Sequence, residues 1–253
     1  MPMKNYHIIQ TQYKSLLNII SNYDKAFIAF SGGIDSSLVA KAAFDILGNK
    51  AIAVTIESEL TANRDILFAR ESAKSIGINH QVIKISALRN MLISANTERR
   101  CYYCKKEIIK TIAQRPLFDG SHVDDTDDRP GLKAIREAGV ISPLVLAGFN
   151  KKKIIDTAKH LKLYSLNRPS NSCLATRIKT GTSLTQQNLT MVELTEECMF
   201  EAGAKWCRAR IDGNKFKIEY GADSILNEDC TKIHIIKMLP ALIQMDIKFF
   251  KKS

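Results

Sequence analysis

The chain has 253 residues, 45% hydrophobic and 25% charged, and a formal net charge of +11. Its longest apolar stretches are strand-sized, which argues against a transmembrane span, and its N-terminus lacks the apolar core of a signal peptide, so a cytoplasmic location is expected. Six unevenly spaced cysteines argue against a disulfide framework. The positive charge favours a polyanionic partner, such as a nucleotide, a phosphorylated metabolite, RNA or an acidic membrane, although many cytosolic proteins are simply basic.

The first part of the chain alternates between helix and strand patterns. Apolar side chains recur at helical spacing over residues 5–22, and a β-prone run at 25–30 ends on Ser31. Two further helices are predicted from Ser36 to Gly48 and over Ala62–Ile76. Further strands are predicted over Ala51–Ile56, Gln81–Ile85, Leu117–Gly120 and Val140–Val145. This order predicts an α/β fold in which a parallel sheet carries helices on both faces.

The pattern changes after residue 168, where a polar, proline-containing turn region begins. A helix is predicted over residues 186–202 with Thr185 as its N-cap, followed by two strands, Arg208–Ile211 and Lys215–Tyr220, around a hairpin turn. We therefore predict two domains, residues 1–168 and a smaller α+β domain at 169–253.

A glycine-rich loop follows the first predicted strand and precedes a helix. In Ser31-Gly-Gly-Ile-Asp-Ser-Ser37, two glycines let the backbone approach an anion, while loop and helix N–H groups and three hydroxyls can donate to it. The Walker A spacing and its lysine are missing. A tight turn with incidental serines is the alternative. We favour phosphate binding.

This loop resembles that of the N-type, or PP-loop, ATP pyrophosphatases, which cleave ATP to AMP and pyrophosphate. The resemblance implies that the loop holds pyrophosphate and that Asp35 helps to organise the phosphate and Mg²⁺ site. The implied pyrophosphate-binding residues are Ser31, Gly32, Gly33, Asp35, Ser36 and Ser37.

Three later segments narrow the resemblance. They are Arg99-Arg-Cys-Tyr-Tyr-Cys-Lys-Lys106, the stretch from Asp119 to Ala134, and Pro169-Ser-Asn-Ser-Cys-Leu-Ala-Thr-Arg-Ile178. In this order they are similar to the LarE family over nearly the whole chain. LarE proteins adenylylate a carboxylate of pyridinium-3,5-biscarboxylic acid mononucleotide and convert it to a thiocarboxylate, on the route to the nickel-pincer nucleotide cofactor. The resemblance implies ATP, Mg²⁺ and a phosphorylated pyridinium dicarboxylate as ligands, and we also expect a homo-oligomer.

The cysteines bear on the sulfur source. Cys173 resembles the family's sulfur-handling cysteine, which in one branch gives up its own sulfur and becomes dehydroalanine; in another branch three cysteines hold a [4Fe-4S] cluster. Because Cys101 and Cys104 form a CxxC pair that Cys173 could complete, we favour the cluster. A structural zinc site with His122 as fourth ligand, or simple burial, are the alternatives. The other three cysteines are expected to pack as small hydrophobes: Cys198, Cys207 and Cys230.

Charged residues complete the expected ligand set. Arg208 and Arg210 share one face of a predicted strand, and with Arg177 they are assigned to phosphate groups of AMP or substrate. A solvated charged face is the alternative for these arginines. Magnesium is assigned to one of three carboxylates, Asp124, Asp125 or Asp128, with Asp124 as a weak first choice, and surface loop carboxylates without a metal are the alternative. Glu196 is a weaker candidate for contact with the sulfur site.

Three other functions stay open. A tRNA thiolation enzyme would use the same loop and adenylylation, and the basic charge suits it, but the sequence contains no recognisable RNA-binding module. A nucleotide-binding regulator would keep the loop without turnover. An ammonia-dependent ligase of the NAD synthetase kind would leave Cys101, Cys104 and Cys173 without a role.

Overall fold

The computed structural model describes residues 3–125, 129–167, 171–222, 224 and 227–252. The chain divides into two compact units, Met1–Ile85 with Cys101–Asn171, and Ser86–Arg100 with Ser172–Ser253. The predicted domain boundary, between residues 168 and 169, lies outside the described residues. The predicted division places Ser86–Arg100 in the first domain, whereas the structure groups this segment with the second unit.

A four-stranded parallel sheet forms the centre of the first unit. Its strand order is β3-β2-β1-β4, so that β1 lies inside the sheet, with β2 on one side and β4 on the other. The strands are β1 (Ala26–Ala29), β2 (Ala51–Glu57), β3 (Asn79–Lys84) and β4 (Leu117–Phe118).

Helices surround this sheet. They are α1 (Met3–Ile20), α2 (Ile34–Leu47), α3 (Asn63–Ile76), α5 (Arg100–Ile112), α6 (Pro130–Glu137), α7 (Pro143–Leu146) and α8 (Lys151–His160), while the short α4 (Met91–Ser94) belongs to the second unit. Short 3₁₀ turns lie at Gly48–Lys50, Ala87–Arg89 and Tyr164–Asn167.

Side chains of β1 alternate between two apolar clusters. Ala26 and Ile28 pack with residues of α1, α2, α3 and α8, whereas Phe27 and Ala29 pack with residues of α5 and α6. Both faces of the sheet are therefore covered, which confirms the predicted α/β architecture. No helix in the described part of the chain has both the length and the apolar character of a membrane-spanning segment.

The predicted strand Val140–Val145 is wrong. Only Ile141 pairs with the sheet, through a parallel bridge to Phe118, and the chain then turns into the short helix α7. Pro143 explains the difference, because it has no N–H for a strand ladder and is well suited to the first turn of a helix.

The second unit has a three-stranded sheet in the order β5-β6-β7. The predicted hairpin is confirmed, since β5 (Cys207–Asp212) and β6 (Lys215–Gly221) pair antiparallel, and β7 (Asp246–Lys252) adds to β6 in parallel. Its helices are α9 (Gln186–Glu201) and α10 (Glu228–Met238), with 3₁₀ turns at Leu174–Arg177 and Pro240–Gln244. Thr185 caps α9 as predicted, accepting a hydrogen bond from the N–H of Asn188.

Candidate active site

The loop at residues 31–33 lies at the carboxyl edge of the parallel sheet. It leaves the internal strand β1 and enters α2 at Ile34. The N–H of Phe30 still donates to the carbonyl of Val54, at 2.8 Å, so the loop begins one residue beyond the sheet. Ligands of open α/β sheets bind at this edge.

Gly32 allows the loop to pack closely on α3. Its φ is +73°, and a Cβ at this position would lie 2.7 Å from the Cα of Ala69. Gly33 then precedes α2 without a side-chain cap. The first-turn N–H groups of α2 are therefore directed at the space before the helix, where an anion can accept from them.

The three serines of the loop have different environments. The hydroxyls of Ser31 and Ser36 lie 3.1 Å apart, and Ser36 also donates to the carbonyl of Gly33. Ser37 is fully buried, where its hydroxyl donates to the carbonyl of Gly32 and lies 3.0 Å from that of Ser72. Ser37 thus holds the loop in shape, while Ser31 is the exposed hydroxyl of the three.

Lys151 connects two of the predicted acidic residues. Its ammonium lies 2.6 Å from Oδ1 of Asp35, and its backbone N–H donates to Oδ2 of Asp124 at 2.7 Å. No local sequence signal assigns Lys151 to this site. This lysine brings a positive charge to the first turn of α2, and both carboxylates are of the type that Mg²⁺ prefers.

A second loop, residues 119–125, lies against the first. A Cβ on Gly120 would lie 2.9 Å from the backbone nitrogen of Ser36, so the two backbones are nearly in contact. The buried carboxylate of Asp119 accepts hydrogen bonds from Ser121 and Ser142 and thereby fixes this loop.

Asp125 and Asp128 are the other two candidate ligands for Mg²⁺. Asp125 accepts from the N–H of His122 at 3.0 Å and pairs with Arg129 at 2.7 Å, so its carboxylate is engaged within its own segment. Asp128 lies outside the described residues.

A polar chain behind the loop begins at His80 on β3. The hydroxyl of Thr55 donates to the carbonyl of Phe30 at 2.7 Å and lies 2.8 Å from Nε2 of His80. Because the hydroxyl has one hydrogen, Nε2 of His80 is the donor in the second bond. Burial lowers the pKa of His80, and the positive charge of Arg70 lowers it further.

The free energy of unfolding is expected to decrease as the pH falls below about 6.5, the usual pKa of histidine. The folded chain binds the His80 proton more weakly than the unfolded chain does, so the contribution is complete above that pH and is lost at lower pH. One such group gives a slope of at most about 1.4 kcal/mol per pH unit. Urea unfolding between about pH 7 and pH 5 should show a shallower slope for His80→Gln than for the wild type. Equal slopes would contradict this prediction.

Cys101 and Cys104 lie three residues apart on α5 in the first unit. This spacing puts both thiols on one side of the helix, with Cys101 exposed and Cys104 half-buried. Two thiolates on one helix face suit a soft metal centre or an iron–sulfur cluster. Cys173 belongs to the second unit and is also half-buried.

Cys173 immediately precedes the 3₁₀ turn Leu174–Arg177. The guanidinium of Arg177 holds this turn, donating to the carbonyls of Ser172 and Cys173 at 2.8 and 3.2 Å and to the hydroxyl of Thr176 at 2.9 Å. The side chain of Arg177 is completely buried. This environment is that of a residue that positions the backbone of Cys173. Contact between Arg177 and a phosphate group stays a prediction.

Glu196 on α9 is the acidic partner of Arg177. Its two oxygens accept from Nε and Nη2 of the guanidinium at 2.9 and 3.3 Å, and Oε1 also accepts from the N–H of Ala209 on β5. Glu196 is 1% exposed. The bidentate pair therefore fixes the Cys173 turn to both a helix and a strand.

Arg208 and Arg210 lie on one face of β5, as their spacing predicts. Arg210 pairs with Glu219 at 3.0 Å, and the guanidinium of Arg208 lies 5.7 Å from the ring of Trp206. Arg210 also lines a cleft of about 590 Å³ together with Thr176, Ile178, Lys217, Lys248 and Phe250. This cleft is basic and contains an aromatic ring, so it can accept a phosphorylated ring compound.

Predicted burial of the other cysteines holds for two of three. Cys198 and Cys207 are buried, whereas Cys230 is exposed on α10, so its predicted packing as a small hydrophobe is wrong. Cys230 lies in the first turn of α10, which Asn227 caps and which is exposed.

Comparisons with known proteins agree with this architecture. A family model described as NAD synthase matches residues 9–111. A tRNA(Ile)-lysidine synthase of Burkholderia mallei is 27% identical over 146 residues, which are 56% of this chain and 30% of that protein. These matches are partial.

Other relatives match over most of their length. An uncharacterized protein of Synechocystis is 32% identical over 226 residues, 86% of this chain and 84% of that protein. A pyridinium-3,5-bisthiocarboxylic acid mononucleotide synthase of Lactiplantibacillus plantarum is 32% identical over 220 residues, 83% of this chain and 80% of that protein. With the PP-loop on its parallel sheet and this extended similarity, the chain belongs to the LarE family of ATP-dependent sulfur transferases, within the PP-loop ATP pyrophosphatases.

Proposed function

We propose that this enzyme adenylylates a carboxylate of pyridinium-3,5-biscarboxylic acid mononucleotide and converts it to a thiocarboxylate for nickel-pincer nucleotide synthesis. The name of the Lactiplantibacillus relative supports this substrate. The observation that carries the proposal is the Cys173 turn, held by the buried Arg177–Glu196 pair in a chain that also has the PP-loop. Such a turn fixes a sulfur-bearing residue in place, which neither a ligase nor a nucleotide-binding regulator requires.

In the first step, a carboxylate oxygen attacks the α-phosphorus of ATP and pyrophosphate leaves. The first-turn N–H groups of α2 and the hydroxyl of Ser31 would bind the pyrophosphate, and Lys151 would offset its negative charge. Asp35 and Asp124 would hold Mg²⁺, which neutralises charge on the phosphate oxygens. The product is an acyl-adenylate with AMP as a good leaving group.

In the second step, a sulfur nucleophile attacks the acyl carbon and AMP leaves. We assign the sulfur nucleophile to a labile sulfide of a [4Fe-4S] cluster, which Cys101, Cys104 and Cys173 would hold. The alternative source is the sulfur of Cys173 itself. In that case the thioester formed by Cys173 loses its Cα proton, the Cβ–S bond breaks, and dehydroalanine and the thiocarboxylate result.

Anaerobic purification followed by single-turnover assays tests the proposal. We expect iron and sulfide in the wild type, pyrophosphate release that depends on the dicarboxylate, and a thiocarboxylate product. Cys173→Ala should lose the product but still release pyrophosphate, because ATP cleavage does not use the thiol. An iron-free protein whose Cys173 loses the mass of one hydrogen sulfide on turnover would replace the cluster by the sacrificial route. Absence of pyrophosphate release with this dicarboxylate would contradict the proposed substrate.

A tRNA thiolation enzyme is the second candidate, and a basic surface favours it. One face of the second unit's sheet carries six cations and three carboxylates, and Phe250 lies under the ammonium of Lys217 at 4.5 Å. The cations are Arg208, Arg210, Lys215, Lys217, Lys248 and Lys252. Tight tRNA binding that weakens steeply with salt, together with thiolation of that tRNA, would replace the small-metabolite substrate.

Replacing Lys151 by methionine is expected to slow pyrophosphate release by roughly 10²-fold. The change removes the ammonium that lies 2.6 Å from Asp35, so the charge on the leaving pyrophosphate is offset less well. Lys152→Met is the matched control, because Lys152 is exposed one residue later on α8. Equal rates for the two variants would remove Lys151 from the proposed site.

A further inference from the structure

A group of soft and polar ligands joins α9 and α10 of the second unit. Cys198 and Glu201 lie one turn apart on α9, and His234 lies opposite them on α10. One ligand atom from each of these three residues lies within 4.8 Å of the others. Neither the proposed ATP cleavage nor the proposed sulfur transfer uses any of them.

A fourth side chain extends the group. Met238 follows His234 by one turn on α10, and its thioether sulfur accepts from the thiol of Cys198 at a sulfur-to-sulfur distance of 3.4 Å. The set therefore consists of a thiol, an imidazole, a carboxylate and a thioether. Hard cations such as Mg²⁺ and Ca²⁺ prefer oxygen ligands, whereas this set suits a borderline-soft ion.

Burial of the group is uneven in a way that suits a metal site. Cys198 is 3% exposed, while Glu201 and His234 are exposed, so that an ion can enter from solvent and reach the thiol. Burial raises the pKa of the Cys198 thiol, and the negative charges of Glu201 and Glu197 raise it further. The same negative charges attract a cation, although the chain as a whole carries +11.

We propose that Cys198, Glu201 and His234 bind a divalent cation of the Zn²⁺ class, and that this ion fastens α10 to α9. Binding displaces the thiol proton to solvent and leaves a thiolate on the ion. Three protein ligands leave a fourth tetrahedral position, which Met238 or a water molecule completes. The role is structural, since the ligands come from the facing surfaces of two helices that lie in one compact unit.

The test uses the full chain with Cys101, Cys104 and Cys173 replaced by serine, so that the predicted sulfur-chemistry cysteines cannot bind the metal. Zn²⁺ affinity is measured by competition with a chromophoric chelator, and Co²⁺ is used to detect a thiolate-to-metal charge-transfer band. We expect one ion per chain, with a tetrahedral thiolate spectrum. Zn²⁺ should also raise the unfolding temperature of the second unit, followed by fluorescence of Trp206, the single tryptophan of the chain.

Variants separate this site from adventitious binding. Changing a residue that only hydrogen-bonds to a metal ligand reduces metal affinity by about 10–100-fold, so removing a ligand itself in Cys198→Ser or His234→Gln should lower it by at least about 100-fold. His234 is exposed, so its variant is expected to fold even if the buried Cys198 replacement does not. Cys230→Ser on the same helix is the control and should bind normally. Failure to bind Zn²⁺, or equal affinity of the His234→Gln and Cys230→Ser proteins, would overturn the proposal.

Discussion

Gly32→Ala is expected to destabilise the first unit by about 2–5 kcal/mol and to reduce pyrophosphate release by at least about 100-fold. The new Cβ would lie 2.7 Å from the Cα of Ala69, a backbone atom of α3 that cannot rotate away. In addition, the φ of +73° disfavours any residue with a Cβ. The loop must therefore shift, and the N–H groups that would bind pyrophosphate shift with it.

Gly139→Ala separates the two causes. Gly139 also has a positive φ, +62°, but a Cβ there would meet no atom within 4 Å. Its replacement should therefore lower stability by only about 1–2 kcal/mol, from backbone strain alone. Circular dichroism during thermal unfolding and a pyrophosphate release assay measure both effects. A Gly32→Ala protein that is no less stable than Gly139→Ala would contradict the steric argument.

Local sequence signals predicted the part of the site that is local. The turn from β1 into α2 was expected from a β-prone run, two glycines and a helix pattern, because each of these features acts over a few neighbouring residues. The same reasoning gave the hairpin between β5 and β6 and the Thr185 cap. The strand predicted over Val140–Val145 was wrong. Its apolar residues are typical of a strand, but Pro143 begins a helix there.

Long-range pairing could not be predicted in this way. Lys151 lies 116 residues after Asp35, and only the packing of α8 beside α2 brings its ammonium to that carboxylate. The burial of Arg177 could not be predicted from local sequence signals either. Its side chain pairs with Glu196 on α9 in a completely buried position, while its assignment to a phosphate group stays a prediction. Likewise, Cys198 and His234 are distant in sequence and meet only because α9 and α10 are neighbours.

Replacing Glu196 by alanine is expected to lower the free energy of unfolding of the second unit by about 3–5 kcal/mol. The variant leaves the buried guanidinium of Arg177 without its carboxylate and leaves the N–H of Ala209 without its acceptor. The Nε–H and Nη2–H groups of Arg177 and the N–H of Ala209 would then lose these acceptors in buried positions, which a folded protein tolerates poorly. Urea unfolding followed by the fluorescence of Trp206, adjacent to β5, measures the loss.

The double variant Arg177→Met with Glu196→Leu distinguishes stability from positioning. Removing both charges together avoids an unpaired buried ion, so the part of the lost stability that comes from that ion should return, while the N–H of Ala209 still lacks its acceptor. The carbonyls of Ser172 and Cys173, however, would lose the donor that holds the Cys173 turn. We therefore expect a stable protein that still releases pyrophosphate but forms little thiocarboxylate. If the double variant forms thiocarboxylate at the wild-type rate, Arg177 acts only in folding, and the turn needs no guanidinium to present Cys173.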